Sequence, residues 1–198
     1  MTVAGVVLAG GASRRMGGVD KAMLVVEGVT LLDRVLSAAT PVCDRLIVVG
    51  PERPTGVAGV MFASEAEPGG GPVPAILAGL QVAPGYDVVL VLATDLPLLG
   101  AHHLRRLLDA LDHHDAAAAM DDGRPNPLLA AYQAEALGDR AARLGLGAGA
   151  PAARLLPDKP VTVDLGSASL NVNRPEDLAA AAQAVREGKS ARLYRSGP

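Results

Sequence analysis

The chain has 198 residues, 49% of them apolar and 20% charged, with a formal net charge of −3. That length supports one domain with a real core and hardly two, and the charge balance argues against nucleic acid or an anionic membrane as partner. With three Tyr, one Phe and no Trp, the core must come from Val, Leu and Ala, and base-stacking platforms for single-stranded nucleic acid are missing.

Ala4–Ala9 is a short, continuous apolar run, as expected for a strand covered on both faces. The run Val3–Ala12 precedes the basic pair Arg14-Arg15 instead of following it, the wrong order for an export signal. Gly, Pro and charges interrupt every other apolar stretch before it could span a membrane, so a cytosolic location is expected. After the loop Gly10–Asp20, Thr30 reads as an N-cap for a helix carrying Leu31, Leu32, Val35, Leu36 and Ala39, ended by Pro41. The lone Cys43 reads as a small apolar residue before a second strand, Arg45–Val49. Val57–Phe62 is a short third strand candidate. Glu65–Pro74, with Gly69-Gly70-Gly71 among Pro68, Pro72 and Pro74, is turn chemistry ahead of a helix over Ala75–Val82. Tyr86–Ala93 is the clearest strand and runs into Thr94-Asp95-Leu96-Pro97.

Ala101–Leu111 is amphipathic, with Leu104, Leu107, Leu108 and Leu111 on one face. The neighbouring pairs His102-His103 and His113-His114 read as surface residues, because His102 and His113 on one helix stand too far apart to share a metal. Ala116–Met120 and Leu128–Tyr132 read as strands joined by the polar turn Asp121–Pro127, and Gln133–Leu156 as helix in two pieces. Val161–Leu165 is a further strand candidate. Arg174–Arg186 is a helix with a proline and acids in its first turn. The expected architecture is therefore a single α/β domain over residues 1–186, with a mostly parallel sheet, helices on both faces, and a tail at 187–198.

In such sheets ligands bind beyond the carboxyl ends of the strands, where two loops carry chemistry. The first, Leu8-Ala9-Gly10-Gly11-Ala12-Ser13-Arg14-Arg15-Met16-Gly17-Gly18-Val19-Asp20-Lys21, combines glycines that can aim several N–H groups at an anion with cations suited to phosphates. Neither GxxxxGK[ST] nor GxGxxG follows a strand; Gly145–Gly149 is a loose echo and reads as a turn. The second loop offers Asp95, a carboxylate placed as Mg²⁺ prefers when phosphate oxygens and water complete its shell. Glu65 with Gly69–Pro72 forms a third loop able to close over base and ribose.

Taken with Asn171-Val172-Asn173-Arg174-Pro175-Glu176-Asp177-Leu178, these loops resemble those of the molybdenum-cofactor guanylyltransferases, nucleotidyltransferases with a Rossmann-like domain. The resemblance spans roughly residues 4–186 and rests above all on the LAGGxSxRMGxxDK stretch. It implies GTP and molybdopterin as substrates, Mg²⁺ as cofactor, and contact with other proteins of molybdenum-cofactor biosynthesis. It implies that Leu8, Ala9, Gly10, Gly11 and Lys21 bind GTP, that Asp95 binds Mg²⁺ and nucleotide, that Gly71-Pro72 shapes the third loop, and that Asn171 and Asn173 face the molybdopterin. Arg15, Lys21 and Asp95 are the expected catalytic set; Ser13 and Glu65 join the binding set, and Arg14 serves pyrophosphate or acceptor. The chain departs from the family pattern at four places. Glu65 replaces an Asp, Gly50-Pro51-Glu52 stands where an Asn follows strand two, Asn126 replaces the His of His-Pro-Leu, and Thr94 replaces a Cys. Another nucleotide such as CTP, another phosphorylated acceptor, or a non-catalytic escort of the cofactor are the competing readings.

Overall fold

The computed structural model describes residues 1–10, 19–65 and 69–188. Nine strands and five α-helices occur among them, in the order β1 (Val3–Leu8), β2 (Val25–Val26), β3 (Val29–Thr30), α1 (Leu31–Ala39), β4 (Arg45–Val49), β5 (Met61–Ala63), α2 (Pro72–Gln81), β6 (Val88–Ala93), α3 (Ala101–Leu111), β7 (Ala116–Asp121), β8 (Arg124–Gln133), α4 (Ala134–Arg143), β9 (Val161–Val163) and α5 (Pro175–Arg186). Seven strands form one sheet in the order β5-β4-β1-β6-β8-β7-β9. β1 pairs in parallel with β4 and β6, β4 with β5, and β7 with β9, while β8 runs antiparallel between β6 and β7. The sheet is mostly parallel, as expected.

Both faces of the sheet are covered, which is why its central strands read as unbroken apolar runs. Alternate residues point to opposite sides. Val7, Val48, Leu90 and Leu92 pack with Leu32, Val35 and Leu36 of α1 and Leu104, Leu107 and Leu111 of α3. Val6, Ile47, Val49, Val89 and Val91 pack with Val73 and Ile76 of α2 and Leu137 and Ala141 of α4. Each Val, Leu or Ile among them, fully withdrawn from water, contributes roughly 1.5–3 kcal/mol before conformational entropy is counted. A third cluster joins Val26 and Leu31 to Val172 and Ala181, seating α5 against the small β2–β3 hairpin.

Several boundaries differ from expectation for identifiable reasons. α2 begins at Pro72, three residues earlier than expected, because Gly71 at φ 95° turns the chain and prolines are tolerated in a first turn whose N–H groups lack partners anyway. β8 begins at Arg124, not Leu128, and carries Pro125 and Pro127 within a strand whose pairing shifts register between Ala118 and Ala119 of β7. The turn is only Asp122-Gly123, both at positive φ, the geometry a two-residue hairpin requires. Glu27-Gly28 does the same between β2 and β3, a hairpin with no counterpart among the expected elements. The third and last strands shorten to Met61–Ala63 and Val161–Val163, and β6 starts at Val88. The stretch 133–156 holds one α-helix and a single 3-10 turn, Ala152–Leu155.

His103 is not a surface residue. It is buried at the start of α3, where its Nδ1 accepts the Gly100 N–H at 3.0 Å. α3 stops at Leu111, so His113 lies beyond it. Burial first, then the neighbouring His102 and Arg106, pushes the His103 imidazole down to about pKa 4. Cys43 is half-buried, and burial raises its thiol to about 12, consistent with an inert packing role.

Two outcomes are expected from this packing. Gly79 of α2 lies so close to β1 that an added Cβ would sit 2.5 Å from Cγ1 of the fully buried Val6. Gly79→Ala should therefore lower stability by about 1–3 kcal/mol, overpacking outweighing the roughly 1 kcal/mol gained in helix propensity; a urea midpoint at or above wild type would contradict this. His103 is held neutral when folded, so its stabilisation is present above the unfolded value near 6.5 and is lost as pH falls towards about 4. His103→Gln should flatten the urea-midpoint profile across that window, and a slope unchanged from wild type would contradict the burial.

Candidate active site

β1 and β6 lie side by side with Leu8 opposite Ala93, so the loops leaving them start at the same height. Beyond β1, the Ala9 N–H donates to the Val49 carbonyl at 2.9 Å, and the Gly50 N–H to the Ala63 carbonyl at 2.9 Å. These bonds carry the sheet one residue past its strands and bring the loops after β1, β4 and β5 together. Gly50, at φ 144°, fits against Ala9 and Gly10 only because it lacks a side chain: a Cβ there would lie 2.8 Å from the Gly10 nitrogen.

Lys21 opens a 3-10 turn, Lys21–Met23, capped by Asp20, whose Oδ1 accepts the Ala22 N–H at 3.2 Å. Its Nζ lies 2.5 Å from Asp95 Oδ2 and donates to Asn173 Oδ1 at 3.0 Å. The Lys21 and Asp95 side chains are only 20% and 19% exposed, so water screens this pair far less than a surface pair. The second oxygen of Asp95, Oδ1, is buried with no hydrogen-bond partner among the described residues, and Oε2 of Glu65 is in the same condition. An unpartnered buried carboxylate oxygen is costly, and two of them border the same space.

That space is a cavity of about 510 Å³, lined by Leu8, Ala9, Gly10, Lys21, Glu65, Gly69, Gly71, Pro72, Thr94 and Asp95 among others. Seven residues singled out in the sequence (Leu8, Ala9, Gly10, Lys21, Glu65, Gly71 and Asp95) therefore share one wall-to-wall site. Gly11, Ser13, Arg14 and Arg15 lie outside the described residues. Asn173 reaches the cavity through Lys21, and its own N–H is held by Asp177 at 2.7 Å, an interaction that keeps the Asp177 carboxyl below its usual range. Val172 between the asparagines is buried and donates its N–H to the Asp95 carbonyl at 3.0 Å. Asn171 belongs to a separate group: its Nδ2 and that of Asn126 both donate to Asp121 Oδ2, at 3.1 and 3.3 Å.

Sequence reasoning gave no role to Asp20, Arg53 or Asp121. Asp20 stands within the glycine-arginine stretch, and Asp121 and Asn126 read as turn residues. Arg53 carried no local signal, since its partner is 33 positions away.

A glycine-bordered loop, a lysine and a carboxylate meeting at the carboxyl ends of adjacent parallel strands define an α/β domain built to handle nucleotide phosphates. Comparison makes this specific. Residues 5–159 match the family described as "MobA-like NTP transferase domain", and the chain belongs to that family. A probable molybdenum cofactor guanylyltransferase of Mycobacterium avium is 35% identical over 93% of this chain and 97% of its own length. A molybdenum cofactor guanylyltransferase of Cereibacter sphaeroides is 33% identical over 94% and 99%. Among solved structures, a molybdopterin-guanine dinucleotide biosynthesis protein A from Archaeoglobus fulgidus superposes with a TM-score of 0.70 at 23% identity, covering 93% of this chain and 99% of its own. A 2-C-methyl-D-erythritol 4-phosphate cytidylyltransferase from Thermus thermophilus reaches 0.71, also at 23%, covering 94% and 100%. These last two likenesses establish the fold. Among the described residues no helix is long and apolar enough to cross a membrane.

Proposed function

We propose that this chain transfers GMP from GTP to the terminal phosphate of molybdopterin and releases pyrophosphate. The observation that carries the reading is the meeting of Lys21 and Asp95 in the lining of one cavity, in a chain whose full-length relatives are named for guanylyl transfer. An acceptor phosphate oxygen attacks the α-phosphorus of GTP, a bond forms there, and the α–β bridging bond breaks with its electron pair leaving on pyrophosphate. A phosphate nucleophile is already ionised at neutral pH, so no general base is required. Such a reaction depends on positioning and on neutralising charge.

Asp95 is the residue that would hold Mg²⁺. Its orphaned, buried Oδ1 is a hard anionic oxygen of the kind this ion selects, with phosphate oxygens and water to complete the shell. Bound there, Mg²⁺ supplies positive charge to the triphosphate. Lys21 changes partner, from Asp95 to the phosphates, and Arg15 and the amides of Gly10 and Gly11 stabilise charge that accumulates on pyrophosphate, with Ser13 and Arg14 in the same binding role. Leu8, Ala9, Gly71 and Pro72 wall the nucleotide. Glu65 reads the base: guanine presents two adjacent N–H donors on its Watson–Crick edge, which a carboxylate accepts, whereas cytosine presents a donor beside an acceptor. Asn173, which accepts from Lys21, and Asn171, which donates to Asp121, take the acceptor.

Two measurements test this reading. With molybdopterin and each of GTP, CTP, ATP and UTP, pyrophosphate release should be fastest with GTP, and Glu65→Gln should narrow that preference; CTP as the fastest donor would overturn the guanylyl assignment. Asp95→Asn should keep the fold yet lower turnover about a hundredfold or more, the scale for losing one preorganised charge. The Mg²⁺-dependent part of the GTP-induced rise in melting temperature should shrink with it. A destabilised but fully active variant would remove Asp95 from the metal site.

A further inference from the structure

The short loop after β4, residues 50–53, meets the chain on both sides of the glycine-arginine segment. On the entry side, Gly50 packs against the backbone of Ala9 and Gly10 at a distance only glycine permits. On the exit side, Arg53 grips Asp20 as a fork, Nε to Oδ2 at 2.6 Å and Nη2 to Oδ1 at 3.1 Å. The third arm, Nη1, donates to the Pro51 carbonyl at 2.9 Å and so braces the guanidinium against its own loop. The Arg53 side chain is 10% exposed and that of Asp20 43%, so the arginine is the buried, fixed partner and the aspartate is the one being held.

Asp20 is not an end in itself. The oxygen it offers to Nη2 also accepts the Ala22 N–H and caps the 3-10 turn that presents Lys21 to Asp95. Three links therefore run in series: Arg53 fixes Asp20, Asp20 fixes the turn, and the turn fixes where the Lys21 ammonium can reach. A planar fork braced at its third arm sets both position and angle, which a flexible ammonium does not. Lys21 has a long, rotatable side chain, and without an anchored base it would sample many positions at the phosphate site.

We propose that Arg53 is a positioning residue for nucleotide transfer, acting through Asp20 to hold Lys21 on the phosphates. This rests on the nucleotidyl-transfer reading above, and concerns how the chain achieves it. Arg53 does not itself touch the nucleotide. Losing the clasp should weaken the use of GTP first, and the acceptor side only through the Lys21–Asn173 contact.

The test compares Arg53→Ala, Arg53→Lys, Asp20→Asn and the Arg53→Ala/Asp20→Asn double variant by two readouts. The first is amide hydrogen exchange without any nucleotide. Residues 19–24 should exchange several-fold faster in Arg53→Ala and Asp20→Asn, while slow exchange over Val88–Ala93 reports an intact core in the same sample. The second is steady-state kinetics, in which the KM for GTP should rise about tenfold in either single variant, with a smaller rise in the acceptor KM because Lys21 also holds Asn173. The double variant should be no worse than the poorer single, since both remove one linkage, and Arg53→Lys should recover only part of the loss. Additive effects, or unchanged exchange over 19–24, would overturn the clasp. So would a GTP defect in Arg53→Ala absent from Asp20→Asn, which would mean that Arg53 contacts phosphate directly. A wild-type protein that ignores GTP would refute the donor assignment alone, and the exchange data would still decide whether Arg53 holds the Lys21 turn.

Discussion

In the parallel pairing of β1 with β6, Leu8 stands opposite Ala93, and the arrangement of the site depends on that register. Parallel strands end on the same side of a sheet, so two loops distant in sequence leave from neighbouring points. A shift of one residue would turn the inner and outer faces over and set Asp95 out of step with Gly10. Such a shift is opposed by the packing on both sides, where Val6 and Val91 belong to one buried face and Val7 and Leu92 to the other. The chemistry of the cavity is held in place by aliphatic packing that never touches a ligand.

The same constraint explains why the site can hold charges that solvent would otherwise favour. Lys21 and Asp95 are drawn together in the wall of the cavity, each largely withdrawn from water, while an oxygen of Asp95 and one of Glu65 lack partners among the described residues. A fold optimised for stability alone would satisfy or remove these oxygens. A fold that receives cationic or hydrogen-bond-donating ligands gains from keeping them, because the desolvation cost is met in advance and the groups are already aimed. The cost is met elsewhere, in a core mostly of Val, Leu and Ala with Tyr132 as the one large buried aromatic among the described residues, whose hydroxyl donates to the Pro127 carbonyl.

Much of this was legible in the chain. Uninterrupted apolar runs gave β1, β4 and β6 nearly to the residue, and Thr30 marked the start of α1, where its hydroxyl accepts the Asp33 N–H. Gly10, Lys21 and Asp95 stood out in the sequence, and they line one cavity. Local chemistry misled where a residue type has two uses. Prolines around Gly71 read as turn but begin α2, and Pro125 and Pro127 read as turn but lie in β8. His103 read as surface because nothing in its neighbours reveals that its ring caps a buried helix start. The Arg53–Asp20 fork could not be read at all, since it exists only once β4 lies beside β1.

On the proposed function, Asp95 holds a metal and Lys21 leaves it for phosphate when nucleotide binds. A crystal structure with Mn²⁺ and a non-hydrolysable GTP analogue, phased for anomalous scattering, reads both events in one map. The expected result is an anomalous peak at coordination distance from an Asp95 oxygen, with the Lys21 ammonium moved onto the phosphates. Nucleotide in the cavity with Lys21 still on Asp95, and the metal held elsewhere, would contradict it.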